Sequence, residues 1–162
     1  VFLKAIDQGK KIYLVGSTPK YIKMAAESIS NRFPSIDIVG LHHGYLDEEK
    51  TTIAVIDSIK VKSPDIVIIG MGTPRQEQFI VNLKESGWKG TSYTCGGFFH
   101  QTASKIDYYP EWANKLNLRW LYRIYDEPKL AKRYFILYPW AILLIIWDFK
   151  VCHILPQKSK NL

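Results

Sequence analysis

Through the first hundred residues, short apolar runs alternate with stretches whose apolar side chains recur three or four positions apart. The runs are Ile12–Val15, Ile36–Val39, Ile66–Ile69 and Thr91–Cys95. Ile66–Ile69 is unbroken Ile and Val, as in a parallel strand covered on both faces. Between the runs, Ile22, Ala25, Ala26, Ile29 and Phe33 form one helical stripe, and Ile53, Ile56 and Ile59 another. Phe79, Ile80 and Leu83 form a third, which opens after Pro74, a residue suited to the first helical position. Strand and helix thus alternate from Ile12 to Cys95, which predicts an α/β fold: an open, mainly parallel sheet with flanking helices and right-handed crossovers.

Past Pro110 the pattern changes. Trp112, Leu116, Trp120 and Ile124 recur every fourth residue, with Leu121 beside them, and predict one helix that carries Arg119 and Arg123 on a neighbouring face. After Pro128, the basic Lys129, Lys132 and Arg133 lead into Tyr134–Trp147, 14 residues without a charge. Fourteen is short of the ~20 residues that span a bilayer, and Pro139 is expected to break the run further. Two readings remain, a buried core helix or a segment lying at a membrane interface; the basic lead-in and the tryptophans suit the second. The chain therefore reads as a sheet domain over 1–109 and a helical appendage over 110–162.

The strand ends carry the candidate chemistry. The first run leads into Gly16-Ser17-Thr18-Pro19, and the second into Gly40-Leu41-His42-His43-Gly44-Tyr45. The third leads into Gly70-Met71-Gly72-Thr73-Pro74-Arg75-Gln76-Glu77, and the fourth into Gly96-Gly97-Phe98-Phe99-His100. In a parallel sheet these loops gather at the carboxyl edge, where open α/β folds bind ligands. Glycine lets backbone approach a ligand, and a following helix offers N–H groups to phosphate, so a nucleotide-type pocket is expected. The dinucleotide fingerprint is absent, because Arg75 stands where the third glycine belongs, and there is no GxxxxGK[ST]. Asp37, 21 residues after Gly16, falls inside the second strand run rather than in a ribose-binding loop.

Several side chains have two readings. His42 and His43, as neighbours on a strand, would point to opposite faces and hold no metal. Gln76 and Glu77 either satisfy a helix start or bind a sugar or base, with Arg75 towards phosphate. His100 is either a packing residue or a general base. Asp47, Glu48 and Glu49 read as a solvated helix start.

Composition adds little to the fold and more to the partners. The chain of 162 residues is 47% hydrophobic, which suits a domain with a core and excludes a disordered or disulfide-stapled scaffold. Cys95 and Cys152 lie far apart, without CxxC spacing, and read as reduced thiols. Of the net charge of +7, residues 101–162 supply 10 Lys and Arg against 5 Asp and Glu, or +5, with four of the five tryptophans. Basic residues among aromatics suit an anionic membrane surface or a nucleic acid. A non-catalytic nucleotide or nucleic-acid binding module is accordingly the second functional reading.

The motifs together carry a resemblance. Val39-Gly40, His43-Gly44-Tyr45, Pro64-Asp65, the Gly70–Glu77 loop, Gly96-Gly97-x-Phe99, Trp120-Leu121-Tyr122-Arg123, Glu127-Pro128 and Arg133-Tyr134 resemble the WecG/TagA/CpsF glycosyltransferase family in order and spacing. The resemblance implies a Rossmann-like nucleotide-sugar core and a basic appendage that meets an anionic membrane peripherally, at the cytoplasmic face. It implies inverting transfer of a hexose such as N-acetylmannosamine from a UDP donor to a polyprenyl-diphosphate-linked sugar, as in teichoic acid, capsule or exopolysaccharide synthesis. No metal, cofactor or nucleic acid is expected. Gly16, His43, Gly44, Tyr45, Gly70, Gly72, Thr73, Pro74, Arg75, Gln76, Glu77, Gly96 and Gly97 fall in the donor pocket, and Arg123, Lys132 and Arg133 face the acceptor diphosphate or lipid.

Four positions depart from the family pattern: His100 stands for an acid, Ser104 for a glycine, Tyr108 for an arginine and Arg119 for an acid. The family's base, an aspartate, is expected upstream of Val1, which leaves Glu77 and His100 as weak substitutes. The chain by itself is then expected to transfer little sugar and to expose an apolar sheet edge that favours aggregation.

Overall fold

The computed structural model describes residues 1–46, 48–104, 108–128 and 130–154, and the chain divides into two compact units, Val1–Tyr108 and Tyr109–Leu162. In the first unit, helix α1 (Phe2–Asp7) precedes strand β1 (Lys11–Gly16), helix α2 (Pro19–Arg32) and strand β2 (Asp37–His42). Helix α3 (Glu49–Lys62), strand β3 (Ile66–Gly70), helix α4 (Arg75–Glu85), strand β4 (Thr91–Thr94) and helix α5 (Phe98–Ser104) follow. All neighbouring strands are parallel, in the order β2-β1-β3-β4. This is the α/β, parallel architecture expected from the alternation of apolar runs, and the Rossmann-like core that the family resemblance implies.

Period-two alternation in the two central strands decides the layers. Ile12 and Leu14 of β1, with Ile66 and Ile68 of β3, face α1, α2 and α5, where Ile22, Ala25, Ile29 and Phe99 close the core. Tyr13 and Val15, with Val67 and Ile69, face α3 and α4, against Val55, Ile59, Phe79 and Leu83. Both faces of β1 and β3 are thus buried, which is why Ile66–Ile69 contains no polar residue.

Three local expectations need correction. The buried stripe of α3 is Val55, Ile56 and Ile59, while Ile53 is 52% exposed. The two stripes share Ile56 and Ile59 and differ only in their first member, and both satisfy the spacing rule. Strand β2 runs on to His42, so Gly40 and Leu41 belong to the sheet and not to a loop. The β1–β2 pairing shifts register between Ile12 and Tyr13, and the Tyr13 ring lies where a side chain at position 40 would stand. Pro74 is the N-cap of α4, one position earlier than the sequence pattern suggests.

The second unit corrects the reading of 110–124 as a single helix. Helix α6 (Glu111–Lys115) stops at Leu116, Asn117 takes a left-handed φ of 56°, and helix α7 (Arg119–Asp126) starts anew. Leu118 N–H bonds back to the Ala113 carbonyl, so the break is a hydrogen-bonded turn. After Pro128 come α8 (Leu130–Lys132), a π-helical turn over Arg133–Leu137 and α9 (Tyr138–Ile154), which join into one continuous helix. Pro139 does not break it. The wider π turn just ahead gives the proline ring room beside the preceding carbonyls and takes up the missing N–H. Leu130–Lys150 is one helix of 21 residues, long and apolar enough to cross a membrane, and none of its apolar window is buried within the described structure.

The layers can be tested by substitution. Phe99→Ala, which empties a fully buried ring site, is expected to cost about 3–5 kcal/mol. Ile53→Ala is expected to stay within about 0.5 kcal/mol of the parent, as at ordinary surface positions. Urea unfolding followed by circular dichroism measures both, and equal losses would contradict the phase assigned to α3.

Candidate functional site at the carboxyl edge of the sheet

Strand ends β1 and β3 meet through their last residues. Gly16 pairs with Gly70, and a side chain on Gly16 would run into the Gly70 backbone. Ser17 N–H donates to the Gly70 carbonyl at 3.1 Å, and Gly44 N–H to the Ser17 carbonyl at 2.9 Å. A side chain on Gly44 would meet Met71 Cγ at 2.7 Å and Gly16 Cα at 2.9 Å. On the other side, a side chain on Gly70 would meet Phe99, the Cys95 sulfur and the Gly96 carbonyl, each at 2.8–2.9 Å. Four loops are drawn together here, so these glycines serve backbone-to-backbone packing before any ligand arrives. Gly72 differs: its φ is +76° and nothing stands within 4 Å of a would-be side chain.

The Gly72–Glu77 turn is a hydrogen-bonded knot on the α4 N-terminus. Gln76 N–H donates to the Gly72 carbonyl at 3.0 Å. The Gln76 side-chain amide donates from Nε2 to Glu77 Oε1 at 2.9 Å, and the Thr73 hydroxyl donates to the same oxygen at 3.1 Å. These bonds favour the ionised form: the Gln76 amide first, with the Glu77 N–H and Thr73 after it, holds the Glu77 carboxyl below its usual 4.5. The helix N-terminus thus already holds its anion, which weakens the case for phosphate at this place. Gln76 is only 7% exposed, and its Oε1 is buried without a hydrogen-bond partner in the protein. Such an acceptor costs free energy until a donor reaches it.

A cavity of about 290 Å³ opens beside this turn, lined by Gly44, Met71, Arg75, Gln78, Phe79 and Asn82 among others. It is near the lower end of ligand-pocket sizes. Of the residues singled out from sequence, Gly44 and Arg75 reach it. Gln78 and Asn82, bonded to each other at 2.9 Å, were not anticipated. The signal was the four-residue polar spacing on one face of α4, read only for its apolar positions.

A larger cavity, about 620 Å³, lies at the opposite, amino edge among Lys10, Lys60, Asp65, Trp88 and Lys89. Its lysines cluster where α3 and α4 end, and cations there offset the helix dipoles. Trp88 donates its indole N–H to the Pro64 carbonyl at 3.0 Å and closes the floor. That edge is accounted for by helix ends.

The remaining candidates are placed as follows. His42 and His43 do not point apart: the strand ends at His42, and the two rings sit 4.3 Å centre to centre. His42 Nδ1 lies 2.8 Å from the His43 carbonyl, while His43 Nδ1 is buried without a partner. Among the described residues, no three His, Cys, Asp or Glu side chains come together as a metal site would require. His100 lies on α5 rather than in a loop, its ring against Tyr21 of α2 at 4.3 Å. Tyr45 is 52% exposed, and Gly97 is exposed at the start of α5. Cys95 is a free thiol pushed up to about 12 by burial, hence unreactive. Glu48 and Glu49 begin α3; Asp47 lies outside the described residues, as do Lys129 and the side chains of Ser104 and Cys152.

In the second unit, Arg123 sits on α7 with its Nε buried and unpartnered. Lys132 is exposed, and the Arg133 guanidinium stacks on Tyr138 at 5.8 Å. Arg119 Nε donates to Asn114 Oδ1 at 2.8 Å, which ties α7 to α6.

The lowered Glu77 pKa has a pH consequence. A carboxyl depressed by folding adds stability above its unfolded value, and loses it as pH falls through the lower folded value. Side-chain NMR titration is expected to give Glu77 a midpoint below 4.5, with Gln76→Ala moving it upward.

Comparison with known proteins places this edge in context. A UDP-Gal:alpha-D-GlcNAc-diphosphoundecaprenol beta-1,4-galactosyltransferase of Shigella boydii is 41% identical over 146 residues, 90% of this chain and 61% of that protein. An N-acetylglucosaminyldiphosphoundecaprenol N-acetyl-beta-D-mannosaminyltransferase of Bacillus subtilis is 35% identical over 76% of this chain and 47% of its own length. One of the same description from Staphylococcus aureus is 32% identical over 70% and 44%. The chain thus spans roughly half of these relatives. Residues 1–152, which include all four gathered loops, match the family description, and the chain belongs to the glycosyl transferase WecG/TagA/CpsF family.

Proposed function

We propose that the chain carries the donor-binding core of an inverting glycosyltransferase, which moves a hexose from a UDP donor to a polyprenyl-diphosphate-linked sugar at the cytoplasmic face of a membrane. The observation that carries this reading is the buried, unpartnered Gln76 Oε1 within the Gly72–Glu77 turn. It is an acceptor that the protein leaves without a donor, next to the Glu77 carboxylate, and a nucleoside or sugar carries O–H and N–H donors of the kind it lacks. The relatives named as galactosyl and N-acetylmannosaminyl transferases support a hexose, with a diphosphoundecaprenol-linked acceptor.

In such a transfer the acceptor hydroxyl attacks the anomeric carbon as its proton goes to a base, the anomeric C–O bond breaks, and UDP leaves with one more unit of negative charge to be stabilised on the diphosphate. Glu77 is a poor base, because the donors on its Oε1 favour the ionised form and lower its affinity for a proton. The His100 ring is engaged with Tyr21. Neither is therefore assigned as the base. Thr73, Gln76 and Glu77 would take hydroxyl and N–H groups of the donor. Arg75 and the turn at Gly16–Thr18 would take the diphosphate, and Arg123, Lys132 and Arg133 the acceptor diphosphate or lipid headgroups. No metal enters this reading.

Calorimetric titration of the chain with UDP should show binding. Gln76→Ala should weaken it by about 5- to 10-fold, the worth of one hydrogen bond, ~1–1.4 kcal/mol. Absence of heat with UDP, or an unchanged affinity in the variant, would sink the assignment of this turn to the donor.

A further inference from the structure

We infer that the helix Leu130–Lys150 is held across the lipid bilayer as an integral segment, rather than lying along its surface. The inference deepens the proposed reading by saying how the chain is kept at a membrane. Its 21 residues rise ~1.5 Å each, about the 30 Å of a hydrocarbon core. The decisive observation is that the helix has no polar face. From Phe135 to Lys150 every described side chain is exposed, with Ile145 and Trp147 each at 67% and Leu143 at 59%.

A helix that lies in the interface needs one polar side for water and one apolar side for lipid. Tyr134–Trp147 offers Ile, Leu, Phe and Trp around the full turn, so any in-plane orientation leaves part of them wet. A core helix would be covered by its own unit, and a cleavable leader would lie near the start of the chain. This helix is uncovered and begins some 130 residues in.

The ends fit the two headgroup layers. Lys132 and Arg133, with Tyr134 and Tyr138, stand at one end, and Trp147, Asp148 and Lys150 at the other. Long basic side chains can reach back to the surface, which extends the charge-free 14 residues. The π turn before Pro139 is the kind of local adjustment that lets proline persist in a spanning helix. Orientation follows from Lys and Arg near the ends. Arg119, Arg123 and Lys129 precede the helix and Lys132 and Arg133 lie in its first turn, whereas Lys150 ends it and Lys158 and Lys160 lie beyond, five against three about the charge-free Tyr134–Trp147. The positive-inside bias keeps residues 1–129 cytoplasmic, the side on which a UDP-sugar would be met.

The test uses the full chain in bacterial membranes, washed first with high salt and then with alkaline carbonate. The expected result is retention through both washes, lost in Leu143→Arg/Ile146→Arg. Release of the parent by either wash would overturn insertion while leaving a peripheral transferase intact. A chain that never sediments, and elutes as a soluble oligomer, would show the helix covered by other copies and would also overturn it. Lys158→Cys in a Cys152→Ser background should react with a membrane-impermeant maleimide in unbroken spheroplasts. Reaction only after lysis would show that the helix does not cross. UDP titration of the same preparations reads the donor site independently.

Discussion

The contact between the backbones of Gly16 and Gly70 is the constraint on which the first unit depends. These residues end the two central strands, and their direct approach sets how closely the β1 and β3 loops can lie. Ser17 bonds to Gly70 and Gly44 bonds to Ser17, so the closeness is passed from loop to loop. Even a methyl group on Gly16 would push the strand ends apart. The Gly72–Glu77 turn and the cavity beside it would then lose the wall that Gly44 and Met71 provide.

The two units use apolar surface in opposite ways. In the first, β1 and β3 are covered on both faces, and the core residues from Ile12 to Leu83 are almost wholly removed from water. In the second, the long helix keeps its apolar side chains on the outside. Burial explains the stability of the one, since each large side chain taken from water contributes about 1.5–3 kcal/mol. The same figure makes an uncovered helix of this composition costly in water.

Much of the sheet could be read from the amino-acid sequence, because strand burial leaves an unambiguous mark. A run such as Ile66–Ile69 admits little else. Phase was harder. Ile53, Ile56 and Ile59 satisfy helical spacing as well as Val55, Ile56 and Ile59 do, and only the docking of α3 on Tyr13, Val67 and Ile69 selects the second set. Breaks not marked by glycine or proline were invisible, as at Asn117, whose left-handed turn interrupts an even four-residue spacing. Conversely, Pro139 signals a break that the π turn absorbs. The candidate site was legible as a set of glycines at strand ends. What those glycines do was not, since Gly16, Gly44 and Gly70 serve contacts between segments far apart in sequence. The orphaned Gln76 Oε1 is a property of packing that no spacing rule reveals.

Because the central strand ends meet through main chain, this edge has a bearing on how such a protein can diversify. A wall made of peptide groups keeps its shape when nearby side chains are exchanged, provided the few glycines stay. The side chains that line the cavity beside it, Arg75, Gln78 and Asn82 among them, can then be exchanged with less effect on that frame. Relatives named for galactose and for N-acetylmannosamine share a third or more of this chain's residues over the matched stretch. A rigid backbone frame with a replaceable rim can change its lining without renegotiating the fold.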